Sequence, residues 1–134
     1  MASTRVRGCR VLVLDGEERV LLIRHSYGSG HWMLPGGGLS RREDPETGAR
    51  REVHEETAVL LHTALIIGRT DDALSPHETH LVAGWTEDAP QPDRREILEA
   101  AFFALDALPE PLAPRLAEQL SGWVTAAGAA RPAR

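Results

Sequence analysis

The helix that we predict to begin after Asp44 constrains the fold most, because three successive residues each favour a helix N-terminus there. Asp44 can cap the helix, Pro45 is tolerated at the first helical position, and Glu46 suits the positive end of the helix dipole. At about 3.6 residues per turn, Ala49 and Val53 lie on one face of this helix. That apolar face needs a partner surface, so the helix is expected to pack on a core supplied by other elements.

Apolar segments on both sides of this helix predict β-strands. The first two are separated by Asp15-Gly16, a strong turn signal, and therefore predict a hairpin. Apolar residues at helical spacing near the C-terminus indicate a second amphipathic helix. Strands and helices in this order predict an α/β fold. The predicted strands are residues 9–14, 19–24, 60–67, 79–85 and 100–104, and the predicted last helix is residues 114–126.

Length, charge and cysteine content limit the classes of protein to which this chain can belong. Its 134 residues suit one domain, which we assign to residues 1–126, followed by a tail at 127–134 that we expect to be disordered. The net charge of -5 disfavours a nucleic-acid partner. No segment approaches the roughly 18 apolar residues of a membrane span, so we expect a cytoplasmic protein. The only cysteine, Cys9, is expected to be a buried small side chain.

Three glutamates crowd one face of the first predicted helix. Glu52, Glu55 and Glu56 stand at i, i+3 and i+4, where like charges oppose an exposed helix by about 0.2–0.5 kcal/mol per pair. Negative charge near a helix C-terminus also opposes the helix dipole. One interpretation is a solvated charged face. The other is a site for a hard divalent cation such as Mg²⁺, which takes oxygen ligands from carboxylates and substrate phosphates.

The loop before this helix combines glycine with charge. Gly36 begins a glycine triplet whose backbone can approach a ligand closely, although such a triplet is also typical of a plain turn. Glu43 adds a fourth carboxylate just before the helix. Arg41 and Arg42 supply positive charge that suits phosphate, and they are equally compatible with a solvated loop.

The spacing of these residues resembles the Nudix box. Gly37 is followed after five residues by Glu43, and after seven more by REVHEETAV, residues 51–59. The family pattern is Gly-x5-Glu-x7-Arg-Glu-apolar-x-Glu-Glu-x-Gly-apolar. Every defined position matches except one, because Ala58 stands where the family has glycine. Glycine adopts the left-handed conformation that ends a helix, whereas alanine there costs about 1 kcal/mol, so Ala58 leaves open how the helix ends.

The resemblance extends beyond the box and implies a fold. Trp32 with the following LPGG is similar to the family's usual approach to the box. Residues 96–103 (EILEAAFF) and 105–109 (LDALP) resemble its late segment. The family fold is an α/β/α sandwich around a central mixed β-sheet, which agrees with the predicted order of elements.

The resemblance also implies an activity and a cofactor. Nudix enzymes hydrolyse the pyrophosphate bond of a nucleoside diphosphate linked to another group, with Mg²⁺ as the expected metal and Mn²⁺ as its expected substitute. By resemblance, Glu52, Glu55 and Glu56 are metal ligands, and the Gly36 carbonyl is a further candidate. Arg51 would orient the glutamates, and Glu43 would support the box or an extra metal.

Two further roles stay open among alternatives. The general base is Glu52 or a late-loop glutamate, for which Glu96 is preferred over Glu99. Tyr27, His31, Trp32 and Trp85 could stack on a base, although both tryptophans also suit packing.

Substrate choice lies outside the box, in the NTP or dNTP, ADP-ribose and sugar-nucleotide classes. Pro76 is a weak indication of the last two classes. The spacing of His77 and His80 is conceivable for a metal but favours ordinary surface histidines.

The alternative function is a Nudix-like binding or regulatory module without catalysis. Such modules usually lose box glutamates, and this chain has lost none. Family members are often homodimers, so a homodimer is an expected assembly, although no interface can be identified from the sequence. The expected partner is a nucleoside diphosphate-linked small molecule, with neither nucleic acid nor a membrane.

Overall fold

A mixed β-sheet lies between two helices. The computed structural model describes residues 7–70 and 78–132. The strands are β1 (Arg7–Leu14), β2 (Val20–His25), β3 (Trp32–Met33), β4 (Gly36–Gly38), β5 (Thr63–Arg69), β6 (Glu78–Trp85) and β7 (Ile97–Phe103), and the helices are α1 (Pro45–Thr57) and α2 (Leu116–Ala130).

The main path of the sheet has the order β3-β2-β1-β6-β5, with β4 paired to β1 and β7 paired to β2. β1 runs parallel to β6 along its whole length, and it pairs antiparallel with β2 at Leu14 and Val20, as the predicted hairpin requires. At its other end, β1 pairs with β4, where Arg10 faces Gly36. The segment that carries β3 and β4 therefore lies between the beginning of β1 and the end of β2.

Alternation along β1 divides the core into two layers. Val11 and Val13 pack on the same side as Ala49 and Val53 of α1, which confirms the predicted core face of that helix. The intervening leucines of β1 pack on the opposite side with α2, whose Leu120 is buried. One helix on each face of a mixed sheet confirms the predicted α/β/α sandwich.

Several element boundaries differ from the sequence prediction: β5 begins at Thr63 rather than at residue 60, and β7 begins at Ile97 rather than at residue 100. The glycines at 36–38 form a strand rather than a plain turn, because their backbone pairs with β1. The last helix continues to Ala130 rather than ending at residue 126, and it buries Ala127. Among the described residues, neither helix combines the length and apolar character that a membrane crossing would need.

The end of α1 shows what Ala58 does in place of glycine. Its backbone is left-handed, with φ 63° and ψ 7°, and its N–H donates to the His54 carbonyl oxygen at 2.9 Å. The helix therefore ends as a glycine would end it, and alanine bears a conformational cost of about 1 kcal/mol.

Candidate functional site

The start of α1 fixes which of its side chains face the site. The Asp44 carboxylate accepts the Thr47 N–H at 2.8 Å and the Thr47 hydroxyl at 3.0 Å, and Pro45 follows the cap. This is the arrangement that an N-cap aspartate provides. With the start fixed and Val53 buried in the core, Glu52 and Glu56 turn toward β4.

Arg51 links the charged groups around the helix. Its Nε and Nη2 atoms donate to the two carboxylate oxygens of Glu43, each at 2.9 Å. Its Nη1 donates to Glu52 at 3.1 Å and to Glu55 at 3.2 Å, and Nη2 also donates to the Gly38 carbonyl oxygen at 3.1 Å. One guanidinium therefore contacts three carboxylates and the backbone of β4.

Glu43 is held as an anion by these contacts. Besides the bidentate pair with Arg51, its Oε1 accepts the Ser40 N–H at 3.0 Å. The hydrogen bonds from Arg51, followed by the one from Ser40, lower the pKa of Glu43 to about 2. The same pair raises the pKa of Arg51. Because both oxygens of Glu43 are engaged, the arrangement favours the supporting role over a direct metal contact.

Glu56 is the most buried of the three box glutamates, with 8% of its surface exposed. Its Oε1 accepts the Gly36 N–H at 3.0 Å. Burial raises its pKa to about 8, and the nearby charge of Glu52 adds to this, while the Gly36 hydrogen bond and Arg10 oppose it. Burial therefore outweighs the favourable effects of the Gly36 hydrogen bond and of Arg10.

Glu52 lies directly against β4, so a side chain at residue 37 would displace its carboxylate. A Cβ atom at Gly37 would lie 2.9 Å from the carboxylate carbon and from both oxygens of Glu52. Burial is also the largest influence on Glu52 and raises its pKa, although Arg51 opposes the shift. At Gly36 the backbone has φ +146°, and a Cβ there would lie 2.1 Å from the Cys9 carbonyl oxygen.

The donor set fits a hard divalent cation. Glu52 and Glu56 are partly or largely buried carboxylates of like charge, and oxygen donors of this kind are what Mg²⁺ prefers. In the described part of the chain, no three His, Cys, Asp or Glu side chains are already gathered around a common point. Arg51 instead holds Glu52 and Glu55, so cation binding would require these contacts to rearrange.

The late glutamates occupy different environments. Glu99 is ion-paired with Arg24 across β2 and β7. Glu96 is exposed, and its backbone lies in a tight turn where its N–H donates to Asp93 at 3.1 Å and its carbonyl oxygen accepts the Ser26 N–H at 2.8 Å. This difference supports the preference for Glu96 over Glu99 as a candidate base.

The predicted substrate-binding residues differ in how exposed they are. Arg41 and Arg42 are exposed in the turn before α1, and within the described residues their side chains make no ion pair with the box glutamates. Tyr27 is 61% exposed and its ring lies 5.0 Å from that of His25.

The two tryptophans proposed for stacking are both buried. Trp32 is 8% exposed and contacts Phe103 edge to face at 5.1 Å, and Trp85 is also buried, so the packing alternative is favoured for both. Pro76 and His77 lie outside the described residues. His80 lies 3.5 Å from Glu78.

Arg10 and Asp93 were not identified from the sequence, and both lie close enough to influence Glu56 electrostatically. Arg10 faces Gly36 across the pairing of β1 with β4. The available signal was a single arginine inside the otherwise apolar run CRVLVL. Asp93 gave no comparable signal, because an aspartate in a polar loop is common.

Comparison of whole structures places the fold among known proteins. An ADP-ribose pyrophosphatase from Streptococcus suis superimposes with a TM-score of 0.75 at 22% identity, covering 97% of this chain and 96% of that one. A MutT NUDIX hydrolase from Burkholderia pseudomallei superimposes with a TM-score of 0.70 at 25% identity, covering 89% of this chain and 98% of that one.

Sequence comparison gives shorter matches. Human diphosphoinositol polyphosphate phosphohydrolase 2 is 32% identical over 73 residues, which is 54% of this chain and 41% of the human protein. A MutT-like protein from Streptomyces ambofaciens is 42% identical over 57 residues, which is 42% of this chain and 36% of that protein. The matched regions thus span less than half the length of these relatives. The model of the NUDIX domain matches residues 4–124, and the chain therefore belongs to the Nudix hydrolase family.

Proposed function

We propose that this chain is a divalent-metal-dependent hydrolase that cleaves the pyrophosphate linkage of a nucleoside diphosphate derivative. Mg²⁺ is the proposed metal, and Mn²⁺ its substitute. The observation that supports it most is the pair of carboxylates beside β4, of which Glu52 is partly buried and Glu56 is buried. Burial raises the pKa of Glu56 to about 8, and the charge of Glu52 adds to this shift. Like charges in a partly buried place cost stability when no counter-charge is present, and a bound cation would supply that charge.

The metal would be held by Glu52, Glu55 and Glu56, with the Gly36 carbonyl as a further candidate. When bound, a divalent cation neutralises phosphate charge and makes water more acidic. Phosphoryl transfer depends mainly on positioning and charge stabilisation. The contacts of Arg51 with Glu43, Glu52 and Glu55 suit a positioning role for that arginine.

The remaining roles are assigned by exposure and position. Glu52 and Glu96 are the two proposals for the general base, and the exposure of Glu96 leaves its carboxylate accessible to a substrate. Arg41 and Arg42 are proposed to bind phosphate, and Tyr27 offers an exposed ring for a base. Trp32 is buried and packs on Phe103, so its proposed role in substrate binding is indirect, through packing rather than stacking.

The proposed substrate classes draw on the family and on the names of its similar members. NTPs or dNTPs, ADP-ribose and sugar nucleotides are the proposed classes, and an ADP-ribose pyrophosphatase and a UDP-X diphosphatase share the fold. The relatives named diphosphoinositol polyphosphate phosphohydrolase add one further class of pyrophosphate to the panel. A homodimer and a cytoplasmic location stay predictions from the sequence.

The proposal is tested by a panel of these compounds with Mg²⁺, with Mn²⁺ and with EDTA. We expect metal-dependent cleavage of at least one compound, with release of a nucleoside monophosphate, pyrophosphate or phosphate. Glu55→Gln and Glu56→Gln should keep the fold and lower turnover by about 100-fold or more, while Glu46→Gln on the same helix serves as the matched control. Near-wild-type activity in both site variants would refute the metal assignment.

The competing function is a non-catalytic Nudix-like module. It would bind a nucleotide without cleaving it, and the same panel tests it by equilibrium binding. Saturable binding with no product under any metal condition would favour the module over the enzyme. The four box carboxylates, which are all present, support the enzyme.

A further inference from the structure

The turn at residues 93–97 is bonded both to the end of α1 and to the loop after β2. One oxygen of the Asp93 carboxylate accepts three backbone N–H groups, from Arg95 at 2.9 Å, Glu96 at 3.1 Å and Ile97 at 2.9 Å. Arg94 within this turn is left-handed, with φ 64°. A single carboxylate therefore holds the shape of the segment that carries Glu96.

On one side, backbone hydrogen bonds join this segment to the C-terminal end of α1. The Asp93 N–H donates to the Glu56 carbonyl oxygen at 3.2 Å, and the Gln91 N–H donates to the Thr57 carbonyl oxygen at 2.7 Å. These carbonyls have no partner within the helix itself. The late loop thus binds the backbone of the residue whose carboxylate faces Gly36.

On the other side, the turn holds the loop that carries Tyr27. The Ser26 N–H donates to the Glu96 carbonyl oxygen at 2.8 Å, and the Ser26 hydroxyl donates to the Arg95 carbonyl oxygen at 2.9 Å. The two bonds from Ser26 depend on the orientation of two successive peptide groups. The N–H groups of these same two peptide groups belong to Glu96 and Ile97, and both donate to the Asp93 carboxylate, which therefore sets the orientation.

We propose that Asp93 is a positioning residue that fixes Glu96 and the loop after β2 relative to Glu56. The inference rests on the proposed hydrolase function, because it assigns Glu96 and Glu56 to one reaction. Asp93 acts through hydrogen bonds to backbone N–H groups. Asparagine can accept the same bonds through its side-chain oxygen, whereas alanine cannot. Displacement of a catalytic group by about 1 Å can lower a rate by about 100-fold.

The test compares Asp93→Ala and Asp93→Asn with Asp88→Ala. Asp88 lies earlier in the same loop, where its carboxylate accepts the Leu60 N–H at 2.9 Å, so its removal also costs the loop a hydrogen bond. We expect Asp93→Ala to lower kcat by about 10- to 100-fold with a smaller change in KM. Asp93→Asn should recover kcat to within about fivefold of wild type, and Asp88→Ala should leave kcat nearly unchanged.

Amide hydrogen exchange provides a readout that does not need a substrate. In Asp93→Ala the Ser26 amide should exchange at least about tenfold faster, and in Asp88→Ala it should not. Unchanged protection of Ser26 in Asp93→Ala would overturn the structural part of the inference. Faster exchange with kcat within about threefold of wild type would overturn the catalytic part. If wild type cleaves no compound of the panel, the proposed function fails, while the exchange comparison still tests the turn.

Discussion

Glu56→Gln should stabilise the metal-free protein at neutral and alkaline pH. The Glu56 carboxyl is buried beside Glu52, and burial raises its pKa from an ordinary 4.5 to about 8. The folded state therefore binds the proton more tightly than the unfolded state does. This contribution to stability is complete below the unfolded pKa, and it is lost as the pH rises toward the folded pKa. Glutamine is uncharged throughout and still offers an oxygen to the Gly36 N–H.

The magnitude follows from the two pKa values. Each unit of difference corresponds to about 1.4 kcal/mol, so the full effect is about 5 kcal/mol. Between pH 5 and pH 8 the wild-type protein should lose about 3–4 kcal/mol from this group. Glutamine removes that loss, and any packing change that it introduces is independent of pH.

The assay is urea unfolding in EDTA at several pH values from 5 to 8 for wild type and Glu56→Gln. The difference between the two free energies of unfolding should grow with pH by about 3–4 kcal/mol. Glu46→Gln removes a carboxylate from the same helix away from β4, and it should follow wild type. Parallel curves for wild type and Glu56→Gln, within about 1 kcal/mol, would refute the reasoning.

Three further substitutions test other parts of the site. Ala58→Gly relieves a left-handed alanine but adds freedom to the unfolded chain, so the free energy of unfolding should rise by about 0–1 kcal/mol; a clear loss in thermal unfolding would contradict this. Gly37→Ala places a Cβ 2.9 Å from the Glu52 carboxylate, so activity should fall by about tenfold or more while circular dichroism stays native. Arg51→Lys cannot keep the bidentate pair with Glu43, so kcat should fall and the melting temperature should drop; unchanged values of both would contradict the positioning role of Arg51.

The elements with a regular pattern were predictable from the sequence. The cap at Asp44, the buried face of Ala49 and Val53, and the hairpin before them were all confirmed. Each of these features depends on neighbouring residues or on the period of apolar positions, and both can be seen in a single sequence. The Nudix box supplied the candidate ligands for the same reason, because its charged positions have fixed spacing.

The rest depends on contacts between distant segments. β4 consists only of glycine, which has little intrinsic strand preference. It forms a strand because its backbone pairs with the backbone of β1. The last helix continued past its predicted end because alanines suit a helix and Ala127 packs into the core. The burial of Glu56 and the bonds of Asp93 arise from tertiary packing, so no periodicity signals them.

Binding of Mn²⁺ to the protein alone tests the central claim most directly. The claim is that the box glutamates form a divalent-cation site, and it can be tested without knowing the substrate. Titration followed by electron paramagnetic resonance should show a site in wild type and in Glu46→Gln, with affinity lowered by about tenfold or more in Glu56→Gln. Equal Mn²⁺ affinity in all three proteins would contradict the account.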